Sequence, residues 1–172
     1  MSLIGFTKVC SLANSGGIAA IYGAKAADVT SFTLTVNDYS AVTMDGANLF
    51  KKYEFEQDMA ELRLNGANEG NAFIQTQEVE MQLNRMSTTL RASIEELVKE
   101  SLCGMIFIVK DNNGVMWVVG YSQRHGKDRG LELVTDTGIT GKALTDLNSN
   151  VVVLSTTSAE MARVFTGTVP LT

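Results

Sequence analysis

Proline, histidine, tryptophan and cysteine are all scarce in this chain, and each scarcity closes off a class of function. The two cysteines, Cys10 and Cys103, stand far apart without a Cys-x-x-Cys spacing. No disulfide framework follows, and both are expected as free thiols. The single histidine, His125, sits in Ser122-Gln-Arg-His-Gly-Lys-Asp-Arg-Gly130, a loop-like stretch. A Ser/His/Asp or Cys/His site would have to use it, yet no nucleophile-elbow motif is present, so a solvated loop histidine is expected and not an enzyme. Basic residues are outnumbered, 14 Lys and Arg against 19 Asp and Glu, for a net charge of −5. Adhesive nucleic-acid binding needs clustered cations and is not expected.

No run approaches the roughly 20 apolar residues that a membrane helix needs, so no membrane anchor is expected. The apolar pieces of Met1–Gly17 are too short for a signal peptide, and no Asn-x-Ser/Thr acceptor occurs. The expectation is a chain made and assembled in the cytoplasm. One proline against fifteen glycines leaves backbone groups free to pair in sheets, with glycine at the turns.

What the chain does have is carboxylates at every second position. Glu54, Glu56 and Asp58 alternate with Phe55 and Met59, and Glu78 and Glu80 alternate with Val79 and Met81. In a strand, every second side chain shares a face. Two strands are therefore predicted, Tyr53–Asp58 running on to Leu64 and Ala72–Asn84, each with one face to bury and one negative face. Asn65-Gly-Ala-Asn-Glu-Gly-Asn71 between them is rich in residues that tolerate left-handed backbone, and reads as a loop or flexible arm.

Elsewhere, Phe32, Leu34 and Val36 alternate with threonines, and Asn37-Asp38 predicts a turn within Thr30–Met44. Thr88–Leu102 reads as a helix: Ser87 is the N-cap, and Leu90, Ile94, Leu97, Val98 and Leu102 share one face. Arg91 with Glu95, and Glu95 with Lys99, form i,i+4 pairs on its outer side. Asn113-Gly114 between Met105–Lys110 and Val115–Tyr121 predicts a hairpin. Both of its strands are apolar throughout and must be covered on two faces. An opposing sheet supplies one cover; the helix or a neighbouring subunit supplies the other. Trp117 is expected in the core. Leu131–Thr135 and Val151–Ser155 add two strands, and Thr157–Thr172 an irregular tail. The fold class predicted is mainly β (α+β): one domain, an antiparallel β-sandwich or partly open barrel with one flanking helix.

Other chemistry is thin. Gly138-Ile-Thr-Gly141-Lys142-Ala143 superficially suggests a phosphate loop, but Asp136 stands where that motif needs glycine and Ala143 where it needs Ser or Thr. The carboxylates lie in file along strands, not across a cleft as in glycosidases, and no Ca²⁺-loop order exists. No cofactor is implied. Two readings of the acidic face stay open, a plain solvated surface and the wall of a channel. Arg124, Lys127 and Arg129 concentrate positive charge in one loop, with three readings open: solvated, in contact with an acidic patch on a neighbouring copy, or in contact with DNA.

The order of segments Tyr53-Glu-Phe-Glu-Gln-Asp-Met-Ala-Glu-Leu, Gln77-Glu-Val-Glu-Met-Gln-Leu, the helix Leu90-Arg-Ala-Ser-Ile-Glu-Glu-Leu-Val, the hairpin Val109-Lys-Asp-Asn-Asn-Gly-Val-Met-Trp-Val-Val-Gly and Asp136-Thr-Gly-Ile-Thr-Gly-Lys-Ala-Leu-Thr-Asp-Leu-Asn resembles the ring-forming tail-tube and related virion proteins of tailed bacteriophages. The resemblance covers roughly residues 48–157 and carries no catalytic signature. It implies two packed antiparallel sheets flanked by a helix, copies joined by sheet edges into rings, commonly hexameric, and rings stacked into a tube that conducts DNA without binding it specifically. On that resemblance Glu54, Glu56, Asp58, Glu78 and Glu80 would line the channel. Asn65, Gly66, Asn68 and Gly70 would belong to a stacking arm, joined at subunit contacts by Arg124, Lys127 and Arg129. Other tail or connector proteins would be partners, and the virion the final location. Residues 1–28 are a candidate N-terminal arm. A head–tail connector or tail-terminator ring is the alternative within that class, and a β-sandwich ligand-binding module the alternative outside it.

Overall fold

The computed structural model describes residues 14–172 apart from positions 85, 144, 145 and 147. Strand accounts for 55% and helix for 11%, so the class is mainly β, with antiparallel sheets and one α-helix among the described residues. Strands β1 (Ile18–Lys25), β2 (Val29–Thr35), β3 (Asp38–Met44), β4 (Lys51–Tyr53), β5 (Ala60–Glu69) and β6 (Ala72–Asn84) precede helix α1 (Thr88–Ser101). Strands β7 (Met105–Asp111), β8 (Met116–Val119), β9 (Glu132–Ile139), β10 (Ser149–Ser158) and β11 (Arg163–Val164) follow it.

A five-stranded sheet, in the order β11-β8-β7-β1-β4, forms the middle of the molecule. Its alternate side chains feed two separate cores, as the two-residue period of a strand requires. Ile21, Phe107, Val109 and Val119 point one way, onto Val79, Met81, Val152 and Leu154 of a four-stranded sheet ordered β5-β6-β10-β9, and onto Ile94 and Leu97 of α1. Ile106, Ile108 and Val118 point the other way, onto Phe32 and Tyr39 of the β2–β3 hairpin and onto Phe50 and Phe165. This accounts for the continuous apolar run of β7, in which Met105 to Val109 are all buried. The second cover is the chain's own β2–β3 hairpin, not the helix or a neighbouring subunit as the sequence suggested. Fully burying a side chain of this size contributes roughly 1.5–3 kcal/mol, so each of the two cores is a substantial stabilising layer.

Most local signals of α1 are realised, but Leu102, expected on its apolar face, lies just past the helix and is 78% exposed. Ser87 is extended (φ −133°) and its Oγ accepts the amide hydrogen of Leu90 at 3.1 Å. Of the two i,i+4 pairs, Arg91–Glu95 forms at 3.3 Å; Glu95 faces that partner and makes no ion pair with Lys99 among the described residues. Gly104, at φ +83°, turns the chain out of the helix into β7. It lies against Gly130, where a side chain on either residue would meet the other's backbone.

Four sequence expectations are corrected by the backbone. Tyr53–Leu64 is not one strand: Tyr53 ends β4 in the five-stranded sheet and Ala60 begins β5 in the four-stranded one, so residues 54–59 are a crossover between sheets. Asn65–Asn71 is not a loop: β5 continues to Glu69, pairing Asn65 with Thr76 and Asn68 with Phe73, and the turn is confined to Gly70 and Asn71. The 157–172 tail is tied down, since β10 reaches Ser158, β11 pairs with β8, and Phe165 is buried. Within the 1–28 arm, Ile18–Lys25 is a strand between β4 and β7; residues 1–13 lie outside the described residues. Trp117, expected in the core, is half-buried.

Candidate functional site

The four-stranded sheet has one face in the core and one turned away from it. Alanine, leucine, valine and methionine at positions 60, 62, 79 and 81 face inward. The residues between them therefore face outward: Glu61 and Arg63 on β5, Glu78 and Glu80 on β6, Val151, Val153 and Ser155 on β10, and Glu132 on β9. Register places them in rows across the sheet. One row runs Arg63–Glu78–Ser155–Glu132, and the next Glu61–Glu80–Val153–Thr135.

Arg63 gathers the carboxylates. Its guanidinium reaches Glu61 and Glu78 at 2.6 Å each and Glu80 at 3.1 Å. The hydrogen bond to Glu61, then that to Glu78, raises its pKa above the usual arginine value. One cation among three carboxylates leaves the face net negative, while removing the direct repulsion between Glu61 and Glu80, which are cross-strand neighbours. Glu132, exposed on β9, adds a fourth carboxylate.

Of the residues that the sequence singled out for a channel wall, Glu78 and Glu80 lie on this face. Glu54, Glu56 and Asp58 do not share a strand with each other. They lie in the crossover, where Asp58 adopts φ +61° and breaks the alternation. Glu61, Arg63 and Glu132 were missed. Glu61 and Arg63 carry a signal in the sequence, since they alternate with Leu62 and Leu64; Glu132 carries none beyond its place in a short strand.

The strand end bearing Asn65, Gly66, Asn68 and Gly70 is exposed. Its last rungs, Ala67 with Ile74 through Glu69 with Ala72, extend past the end of β10, whose final partner on β6 is Gln75. A methyl group at Gly66 would come within 2.9 Å of the Phe73 ring, so the glycine makes room for that ring.

Arg124, Lys127 and Arg129 are exposed in the loop between β8 and β9. The loop itself is fastened. Glu160 accepts the Gln123 amide at 2.8 Å, Lys127 donates to the Ala27 carbonyl at 3.2 Å, and Thr156 donates to the Arg129 carbonyl at 3.0 Å. Among the described residues none of the three cations has an ion-pair partner within 4.0 Å. His125 holds the same loop through its backbone amide, which donates to Ser122 Oγ.

Beside this sheet, α1 and β9 enclose an open cleft of about 540 Å³. Leu90, Ile94 and Val98 form its helical wall, and Asp136, Gly138 and Asn150 its sheet wall. Among the described residues no group of three or more His, Cys, Asp or Glu is placed to hold a metal ion, and no helix is long and apolar enough to cross a membrane. No protein-family model matches the chain, and comparison with curated proteins and with solved structures returns no match.

Proposed function

We propose that this chain is a non-enzymatic virion structural protein that closes into rings of the tail-tube kind, with the outer face of the four-stranded sheet turned to the bore. The observation that carries this is the pair of open edges on that sheet. Among the described residues β5 and β9 each have a partner on one side only, and they run antiparallel to one another. Neither contains proline or lysine, the residues that usually guard an edge. An antiparallel strand pair can therefore form between β9 of one copy and β5 of the next. Such a head-to-tail contact repeats until a ring closes. Each copy contributes four strands to one continuous wall.

Among the described residues the face so placed carries Glu61, Glu78, Glu80 and Glu132 against the cation Arg63. A net negative wall repels phosphates and lets a duplex slide without adhering. Negative-stain microscopy of purified protein at rising concentration tests the proposal. Rings or tubes are expected, particle length separating a stacked tube from a single terminator or connector ring. A monomer at every salt and protein concentration would sink it.

A further inference from the structure

We propose that the cleft between α1 and β9 is the seat of the neighbouring copy's crossover, residues 54–59, with Lys99 receiving one of its carboxylates; the proposal rests on the ring assembly just described. The cleft asks for an apolar and anionic occupant. Its walls are Leu90, Ile94 and Val98 against Gly138, with Met86, 40% exposed, at its edge. Both carboxylates at its rim are engaged: Glu95 pairs with Arg91 at 3.3 Å, and Asp136 accepts from Asn150 Nδ2 at 2.6 Å. Arg91 is answered in the same pair. Lys99 is the remaining charge, exposed and without a carboxylate within 4.0 Å among the described residues.

Sheet register says which part of a neighbour arrives there. Across one copy, Asp136 of β9, Val152, Met81 and Ala60 of β5 share a row. If these rows run straight across the proposed joint, a copy of β5 laid antiparallel on β9 begins, at Ala60, near the Asp136–Ile139 end. The chain that precedes Ala60 comes from the five-stranded sheet, on the core side of the four-stranded one. Asp136 and Gly138 look to that same side, in register with Val152 and Asn150. The arriving segment is Glu54-Phe-Glu-Gln-Asp-Met59, with three carboxylates and no cation. Met59 is 44% exposed in the isolated chain. An acidic segment with one exposed apolar side chain, Met59, thus meets an apolar cleft with a free lysine. The same match explains why three carboxylates stand at a crossover rather than on the sheet face.

Assembled rings prepared from a mixture of isotopically heavy and light chains, treated with a carbodiimide, test this directly. Mixed-isotope peptides joining Lys99 to Glu54, Glu56 or Asp58 are expected. Lys99→Glu should raise the concentration needed for half-assembly about tenfold, and adding Glu56→Lys should lower it again, as for charge pairs across an interface. Lys99 is exposed, so dilute Lys99→Glu chains should keep the wild-type circular dichroism spectrum. Rings that form normally yet link Lys99 only within its own chain, or to another part of the neighbour, overturn this assignment and leave the ring standing. Failure of the wild-type chain to assemble overturns both.

Discussion

Gln77 Oε1 accepts the amide hydrogen of Gly120 at 3.0 Å, joining the two large sheets through the middle of the molecule. Gln77 is only 1% exposed, and its Nε2 donates in turn to Gln75 Oε1 at 3.4 Å. Gln75 Oε1 also accepts from the Ala162 amide at 2.6 Å, so this buried pair pins the segment leading into β11. Gly120 sits at φ +83°, and a methyl group there would meet the Met105 carbonyl at 2.6 Å. Replacing Gln77 by leucine should strand the Gly120 amide and destabilise the chain by about 1–3 kcal/mol. Urea denaturation measures it; a loss under a few tenths would show that the bond contributes nothing.

Arg63→Ala removes the only cation from the Glu61, Glu78 and Glu80 group. Each pair is partly exposed and screened by solvent, so each contributes little on its own. The loss should be larger than one pair, because three like charges are left facing one another, and added salt should restore much of it. Thermal unfolding at low and high ionic strength reads both effects. Salt-independent destabilisation would point to lost packing of the arginine stem instead.

Val134 and Ile139 are 59% and 52% exposed along β9, so neither supports the core. Val134→Lys with Ile139→Lys should leave the stability within about 0.5 kcal/mol of the parent, as surface changes do. The same change should abolish ring formation, since lysine is an edge guard. Sedimentation of the variant gives the answer. Assembly at wild-type concentrations would mean that β9 is not a joining edge.

Burial pushes the hydroxyls of Tyr39 and Tyr53 up to about 12. Their folded pKa lies above the unfolded value near 10, so the folded state holds its protons longer. Stability is then full below about pH 10 and falls as pH rises towards about 12, each tyrosine removing up to about 1.4 kcal/mol for every pH unit crossed in that window. Tyr53→Phe should flatten that alkaline decline, followed by denaturation at stepped pH together with tyrosinate absorbance. An unchanged slope would place Tyr53 outside the titrating set.

Much of this architecture is written locally in the chain. The β7–β8 hairpin is legible because Asn113-Gly114 turns between two apolar runs, and Gly114 does adopt φ +87°. Ser87 is legible as a cap because its hydrogen bond spans three residues. Where the sequence misled, long-range pairing had overridden composition. Asn65 to Asn68 look like loop residues, but β6 supplies their hydrogen-bond partners and Phe73 lies beside Gly66. Glu54, Glu56 and Asp58 keep a strand's alternation while serving a crossover, because only the break between β4 and β5, with Asp58 at φ +61°, tells them apart. Arg63 at the centre of three carboxylates could not be seen without the β5–β6 register.

The β2–β3 hairpin seals the second face of β7 from within the same polypeptide. A subunit built this way has no greasy central strand waiting for a stranger, so it can mature alone, and the ring proposed above would need only sheet edges and the cleft beside α1. If the proposed ring forms, folding and polymerisation are separate events, and the onset of the second can be set by concentration or by a nucleating template rather than by the need to hide a core.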